Sequence, residues 1–302
     1  MSIKAVPPDA AVPALRGSAS PSRRSRTSRI LSFARRDPII VASAIILLIL
    51  LVCAIAPGIF TRYDPVEISP ISRVQGPSGT HLFGTDELGR DIFSRVIYGT
   101  RTTLGSAFVV VLAAAFIGIN VGSLAGFRGK YVDEVLMRVV DLFMAFPLLV
   151  LAMAIVAALG PNLLNAMLAL AVVWWSQYAR LTRGLVIQMR DREFVTAAQA
   201  IGASRLKILY RHILPNCFST LLVKATLDIA VAVLVTASLS FLGLGVQPPQ
   251  PDWGNMISDG RQFIQDAWWY PTFPGLAIFV TVMALNLVGD AVRDYLDPRL
   301  RI

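Results

Sequence analysis

The chain has 302 residues, of which 55% are hydrophobic and only 16% charged, which is greasier than a soluble domain of this size. Its net charge of +9 sits on arginines that flank apolar runs rather than on a folded basic domain. Membrane topology accounts for that charge, and nucleic acid is excluded as a partner. Two cysteines (Cys53, Cys217) and two histidines (His81, His212) are too few and too scattered for a disulfide framework or a zinc site, and no cofactor is expected.

Residues 1–35 are rich in Ser, Pro, Ala and Arg without periodicity and read as a disordered basic tail. Arg23-Arg24 ahead of an apolar run invites a twin-arginine reading, but Pro57 directly after Ala54-Ile55-Ala56 blocks cleavage. Leu50-Leu51-Val52-Cys53 lacks the small residue of a lipid-attachment box. The run from Pro38 to Ile59 is therefore an uncleaved anchor, since about 20 helical residues span a hydrocarbon core roughly 30 Å thick.

Five further spans follow near 103–127, 135–159, 161–180, 218–242 and 273–292. Backbone polar groups in lipid must be satisfied within their own segment, so the expected fold is an all-α membrane protein with six transmembrane helices. With the N-terminus inside, cytoplasmic segments hold 21 Lys and Arg against 6 outside, and Lys224 lies within a span. That asymmetry predicts both termini in the cytoplasm.

The first outer segment, 60–102, predicts an amphipathic helix capped by Thr85 or Asp86 and lying along the membrane surface, with Asp91 and Arg95 paired four apart. In the second span Ala114, Gly118, Gly122 and Gly126 recur every four residues, a stripe of small residues for close packing within the chain or between subunits. Polar residues within spans are costly, which makes Asn120, Asp141, Asp228, Thr236, Ser240 and Asn286 candidates for lining a path. Pro147 is expected to kink the third span. Lys224 and Asp228 lie i, i+4 and either neutralise each other or face water. Trp174, Trp175, Trp268, Trp269 and Tyr270 read as interfacial belt residues. The second outer segment, 243–272, is held extended by Pro248, Pro249 and Pro251 and predicts a short helix from Trp253 to Phe263.

Between two spans lies a basic, patterned island, DREFVTAAQAIGASRLKILYRHILP, from Asp191 to Pro215. Asp191 is placed to cap a helix with apolar Phe194, Val195, Ala198 and Ile201, and Gly202 to close it in the left-handed region. Ser204 then caps a second helix, which Pro215 is expected to stop. The result is a compact cytoplasmic elbow suited to receiving force from another protein. No phosphate-binding loop, Ser/His/Asp set, metal cluster or dinucleotide fingerprint accompanies it.

Ala197-Ala198, Gly202 and the closing Leu214-Pro215 resemble the EAA loop of permease subunits of ABC importers. Thr196 stands where that motif has glutamate, and His212 where isoleucine is usual. The stretches GTDELGRDIFSRVIYGTRTTL, FLGLGVQPPQPDWGNMI and NLVGDAVRDYLDPRL resemble the dipeptide/oligopeptide/nickel branch, specifically the second of its paired permeases. The resemblance implies a type I importer core of five helices over 103–302, with a coupling loop at 184–217. An extra helix and outer segment over 36–102 precede it. It also implies a heterodimer with a sibling permease in the lipid bilayer, two cytoplasmic ATP-binding subunits and an extracytoplasmic solute-binding protein. The chain itself is then no enzyme. Glu193, Thr196, Ala197, Ala198, Gly202, Ala203, Leu214 and Pro215 would meet the ATPase. The competing reading is a self-sufficient ion-coupled carrier with Asp228 at its coupling site, although no internal repeat supports it.

Overall fold

The structure is a computed structural model that describes residues 38–296; the tail over 1–35 and the end of the last motif lie outside the described residues. Among the described residues the fold is helical, with a single isolated bridge, Thr85 to Asp91. In chain order the helices are α1 (Pro38–Ile55), α2 (Ile92–Arg128), α3 (Lys130–Met144), α4 (Leu148–Leu159) and α5 (Leu163–Arg190). Then come α6 (Glu193–Ala200), α7 (Arg205–Ile208), α8 (Leu214–Phe241), α9 (Trp253–Gly260) and α10 (Trp269–Leu296). A π turn over Leu209–Ile213 joins α7 to α8.

Four helical runs are long and apolar enough to cross a membrane: α1, α2, the continuous stretch Arg205–Phe241, and α10. α3 and α4 meet that standard only as a pair, and they are bent by 88°. The single kinked span expected over 135–159 is therefore two helices. The residue before a proline is pushed out of the helical region, and Pro147 itself is extended (φ −58°, ψ 131°), so the chain turns instead of bending. The segment expected to span at 161–180 is helical and runs on to Arg190 as α5.

α5 is the central helix, packed most extensively on α2. Its Trp174 and Trp175 are buried, Trp175 edge-on to Phe143 of α3 at 5.5 Å between centroids. The belt reading of these two residues is corrected: they fill the protein interior because α5 is surrounded by other helices. Tyr270 is likewise buried, whereas Trp268 stays exposed.

The α2–α5 contact is close because α2 has no side chains where the backbones meet. A Cβ on Gly118 would lie 2.4 Å from the Trp175 carbonyl oxygen and the Tyr178 Cβ. On Gly122 it would lie 2.2 Å from the Ala179 oxygen, and on Gly126 2.8 Å from the Arg183 oxygen. Ala114 on the same stripe is fully buried. Between helices in lipid the attraction is dispersion summed over many atoms, so this proximity is what holds the pair.

α2 starts well before residue 103. The surface helix expected in the first outer segment is instead the opening of this 37-residue helix, capped by Asp91, whose carboxylate accepts from the Ser94 N–H at 2.8 Å. Asp91 does not pair with Arg95; its other oxygen meets His81 Nδ1 at 2.9 Å. Arg95 instead donates to the Pro65 carbonyl at 3.0 Å and lies 3.6 Å from Asp86. Asp86 also accepts from the Arg90 guanidinium at 2.6 Å and from the Leu88 and Arg90 N–H groups. The amphipathic run is thus the first turns of α2, preceded by a folded turn that holds buried charges. Gly84 and Gly89 make the turn possible, at φ +74° and +76°; a Cβ on Gly89 would sit 1.9 Å from the Ser69 oxygen.

The same end of the bundle is tied by α9. Asp252 caps α9 through the Gly254 and Asn255 N–H groups and accepts from Thr103 of α2 at 3.0 Å. Trp253 donates from Nε1 to the Val96 carbonyl at 2.9 Å. Burial raises the Asp252 carboxyl above the usual carboxylate range, against the opposing pull of these hydrogen bonds.

Candidate functional site

At the opposite end of α5 the chain folds the elbow. Asp191 is not its cap: Asp191 closes α5, and Arg192 starts α6 without a side-chain hydrogen bond. The turn after α6 is a Schellman motif. Ala203 N–H reaches the Ala198 carbonyl at 3.1 Å and Gly202 N–H reaches Gln199 at 3.0 Å, with Gly202 left-handed at φ +78°. Ser204 then caps α7 through the Lys207 N–H.

Pro215 does not stop the second helix. The chain passes through the π turn and continues as α8, with the proline in its first turn. A proline lacks the N–H and crowds the carbonyl one turn back, and the wider π geometry relieves both while the axis carries on. The elbow is consequently the end of a helical stretch running from Arg205 to Phe241.

Val195, Ala198, Ile208, Leu209, Ile213, Cys217 and Leu221 pack with Val186 of α5 into a small separate core beneath the elbow. Phe194 and Ile201, expected on this buried face, are exposed, Ile201 by 85%. Glu193, Thr196 and Ala197 share the open side of α6 with Ile201 and Gly202, while Ala203 and Leu214 are half-buried and Pro215 is exposed. Leu206, 62% exposed, adds a second apolar projection beyond Gly202. A Cβ on Gly202 would meet nothing within 4 Å, so its surroundings in this chain are open. Tyr210 fastens the elbow to α2 by donating its hydroxyl to Asn120 at 3.0 Å, and Arg190, the last residue of α5, donates to the Gly126 carbonyl of α2 at 3.3 Å.

The residues singled out for a path do not form one cluster. Asn120 is taken up by Tyr210 and by its own helix, donating to the Phe116 carbonyl at 2.7 Å. Asp141 is exposed and paired with Arg180 of α5. Thr236 is buried and donates to the Ala232 carbonyl at 2.8 Å, and Ser240 is buried where Val246 turns back. Asn286 is exposed on α10, on the face that also carries Leu276, Phe279, Met283 and Asp290. Asp228 is buried and pairs with Lys224 at 2.5 Å; Lys224 also reaches Gln177 of α5 at 3.3 Å. The pairing alternative therefore holds in this structure. An open apolar recess of about 370 Å³ lies among α8, α9 and α10, lined by Leu234, Ala237, Phe241, Ile257 and Ile278.

The sequence reading missed the buried Asp86, Arg90 and Arg95 group. Its available signal was the i, i+4 spacing of Asp86 and Arg90, with Gly84 before the pair and Gly89 inside it.

A family model described as binding-protein-dependent transport system inner membrane component matches residues 118–302, from the C-terminal part of α2 onward and including the elbow. The chain belongs to this family. Among curated relatives, the permease is 43% identical over 267 residues to the dipeptide transport system permease protein DppC of Alkalihalophilus pseudofirmus, covering 88% of each chain. It is 45% identical over 259 residues to the nickel transport system permease protein NikC of Escherichia coli K12, covering 85% of this chain and 92% of that one. A probable D,D-dipeptide transport system permease protein, DdpC, of Escherichia coli K12 is 43% identical over 276 residues. The fold is similar to a chain of the inward-facing MetNI methionine ABC transporter, with TM-score 0.56 and 18% identity over 68% of this permease and 98% of that chain. The permease thus has the fold of a type I ABC importer permease, with relatives named for dipeptide, peptide and nickel transport.

Proposed function

We propose that this permease is one half of the translocation path of an ATP-driven importer for peptides or similar small solutes, coupled to a cytoplasmic ATPase through the elbow at Glu193–Pro215. The observation that carries this reading is mechanical. A rigid turn, seated on its own apolar core, sits at the end of a helical stretch that crosses the bundle. Around Gly202 its open face carries the small or apolar Thr196, Ala197, Ile201 and Leu206, with the acidic Glu193 and the basic Arg205 and Lys207 beside them. A close-fitting joint of that kind transmits displacement, whereas long flexible side chains would absorb it.

The chain carries no hydrolytic or phosphate-binding set of its own in its sequence, so the energy comes from partners. These are two ATP-binding subunits, one of which meets the elbow, a sibling permease completing the path, and a solute-binding protein at the opposite face. The elbow lies in the cytoplasm with both termini, in line with the lysine and arginine asymmetry. The small solutes are peptides first, because two of the three relatives above carry that name.

The ion-coupled alternative needs a free carboxylate at depth, and Asp228 is committed to Lys224. Reconstitution separates the two readings. Uptake should require the ATP-binding subunits and ATP; uptake by this chain alone on a proton or sodium gradient would overturn the proposal.

A further inference from the structure

Lys224 and Asp228 are opposite charges within a helix that crosses the bundle, a costly arrangement that contributes little stability by itself. Their setting gives them a use. Lys224 donates to Gln177 of α5 at 3.3 Å and sits over the Tyr178 ring, 5.6 Å from its centroid. Tyr178 is fully buried, and its Cβ is one of the atoms that Gly118 of α2 packs against most closely. Lys224 therefore touches α5 at the level where α5 is locked onto α2. Asp228, 5% exposed and one turn along α8, holds the same ammonium at 2.5 Å.

The position of this contact along α8 matters. Leu214, where the elbow joins α8, is about 15 Å from Lys224 along the helix axis, and Ala237 is about 20 Å away in the other direction, at 1.5 Å per residue. At that far end a Cβ on Gly254 would lie 2.2 Å from the Ala237 oxygen, so α9 rides directly on α8. One end of the helix carries the elbow, the other carries α9, and a polar contact with the α2–α5 pair lies between them.

We propose that Lys224 is a positioning residue: held by Asp228, it pins α8 to Gln177 and Tyr178 of α5, and α8 rocks about that pin. A push at the elbow then moves the α9 end in the opposite sense, opening one side of the path as the other closes. Elsewhere α8 buries mainly apolar side chains such as Leu221, Ala230, Val233 and Leu239, whose dispersion contacts have no preferred direction, whereas the pin is directional. This inference rests on the ATP-driven reading proposed above and adds the element that converts the push into alternating access.

The test uses the whole transporter, reconstituted with its sibling permease, ATP-binding subunits and binding protein, and measures solute imported per ATP hydrolysed. Gln177→Leu removes the α5 side of the pin and leaves the charge pair intact; solute per ATP should fall about fivefold with assembly and ATPase rate preserved. Lys224→Met should lower the same ratio more than tenfold, and Lys224→Gln with Asp228→Asn, which restores hydrogen bonding without charge, should recover part of it. An unchanged ratio in Gln177→Leu overturns the proposal, as does a parallel loss of uptake and hydrolysis with loss of complex. If the wild-type transporter takes up solute without ATP, the parent reading fails instead, and the two failures are distinct.

Discussion

Gly122→Ala is the sharpest test of what holds the bundle together. The added methyl would lie 2.2 Å from the Ala179 oxygen and 2.9 Å from the Ala179 carbonyl carbon and Cα, all backbone atoms that cannot swing aside. Ordinary contact needs roughly 3.4 Å or more, so α5 must retreat by about 1 Å, which weakens its packing along the whole stripe. Overpacking of this kind costs about 1–3 kcal/mol, while replacing a helical glycine with alanine returns up to about 1 kcal/mol. The net expectation is a loss of about 1–2 kcal/mol, and more for Gly118→Ala with Gly122→Ala combined. Gly105→Ala on the same helix is the control: nothing lies within 4 Å of its Cβ, so only the propensity gain applies and stability should hold or rise. Reversible unfolding of the purified permease in mixed micelles measures both. Equal stability of Gly122→Ala and Gly105→Ala would refute the claim that backbone proximity carries the α2–α5 pair. Gly122→Leu should go further and cost assembly while leaving the solute profile of any surviving complex unchanged.

Gly202→Asp should leave the permease in the membrane but cut uptake and co-purification of the ATP-binding subunits at least tenfold, since it adds charge at the open turn and strains a residue at φ +78°; normal uptake would count against it. Asp86→Ala leaves the buried Arg95 guanidinium without a carboxylate and Arg90 with only Glu87 at 3.4 Å, and should destabilise the permease by about 3–5 kcal/mol, measured by the same unfolding assay. Asp259 has its carboxyl raised first by burial and then by Glu87, against the pull of Arg95 and Arg90. The folded state therefore binds the extra proton: its stabilising effect is fully present below the ordinary carboxylate range, is lost as pH rises through the raised value, and changes no further above it. Asp259→Asn should flatten that slope, and an unchanged pH profile would contradict the assignment.

The helical character and the elbow were legible because each rests on short-range rules. An apolar run of spanning length needs no partner to be recognised, and Gly202 followed by Ser204 marks a left-handed stop and a fresh cap through local backbone geometry alone. What failed depended on neighbours. Pro215 read as a stop because helical propensity takes no account of a π turn that accommodates the ring. Trp174 and Trp175 read as belt residues because a sequence does not say that α5 is enclosed. Asp91 and Arg95 fit the i, i+4 rule, yet each found a better partner in the preceding loop, Asp91 at His81 and Arg95 at Pro65 and Asp86. Pro147 was recognised as a disruption, but the 88° angle it leads to is set by how α3 and α4 pack separately on α5.

The central claim is that the elbow is gripped by a nucleotide-hydrolysing partner. A single cysteine at Ala197, in a background with Cys53 and Cys217 replaced, tests it most directly by short-range cross-linking within the assembled transporter. The account predicts an adduct with an ATP-binding subunit, and protection of the same cysteine from a membrane-impermeant maleimide added to intact cells. Labelling from outside, or an adduct with no nucleotide-hydrolysing subunit, would contradict it.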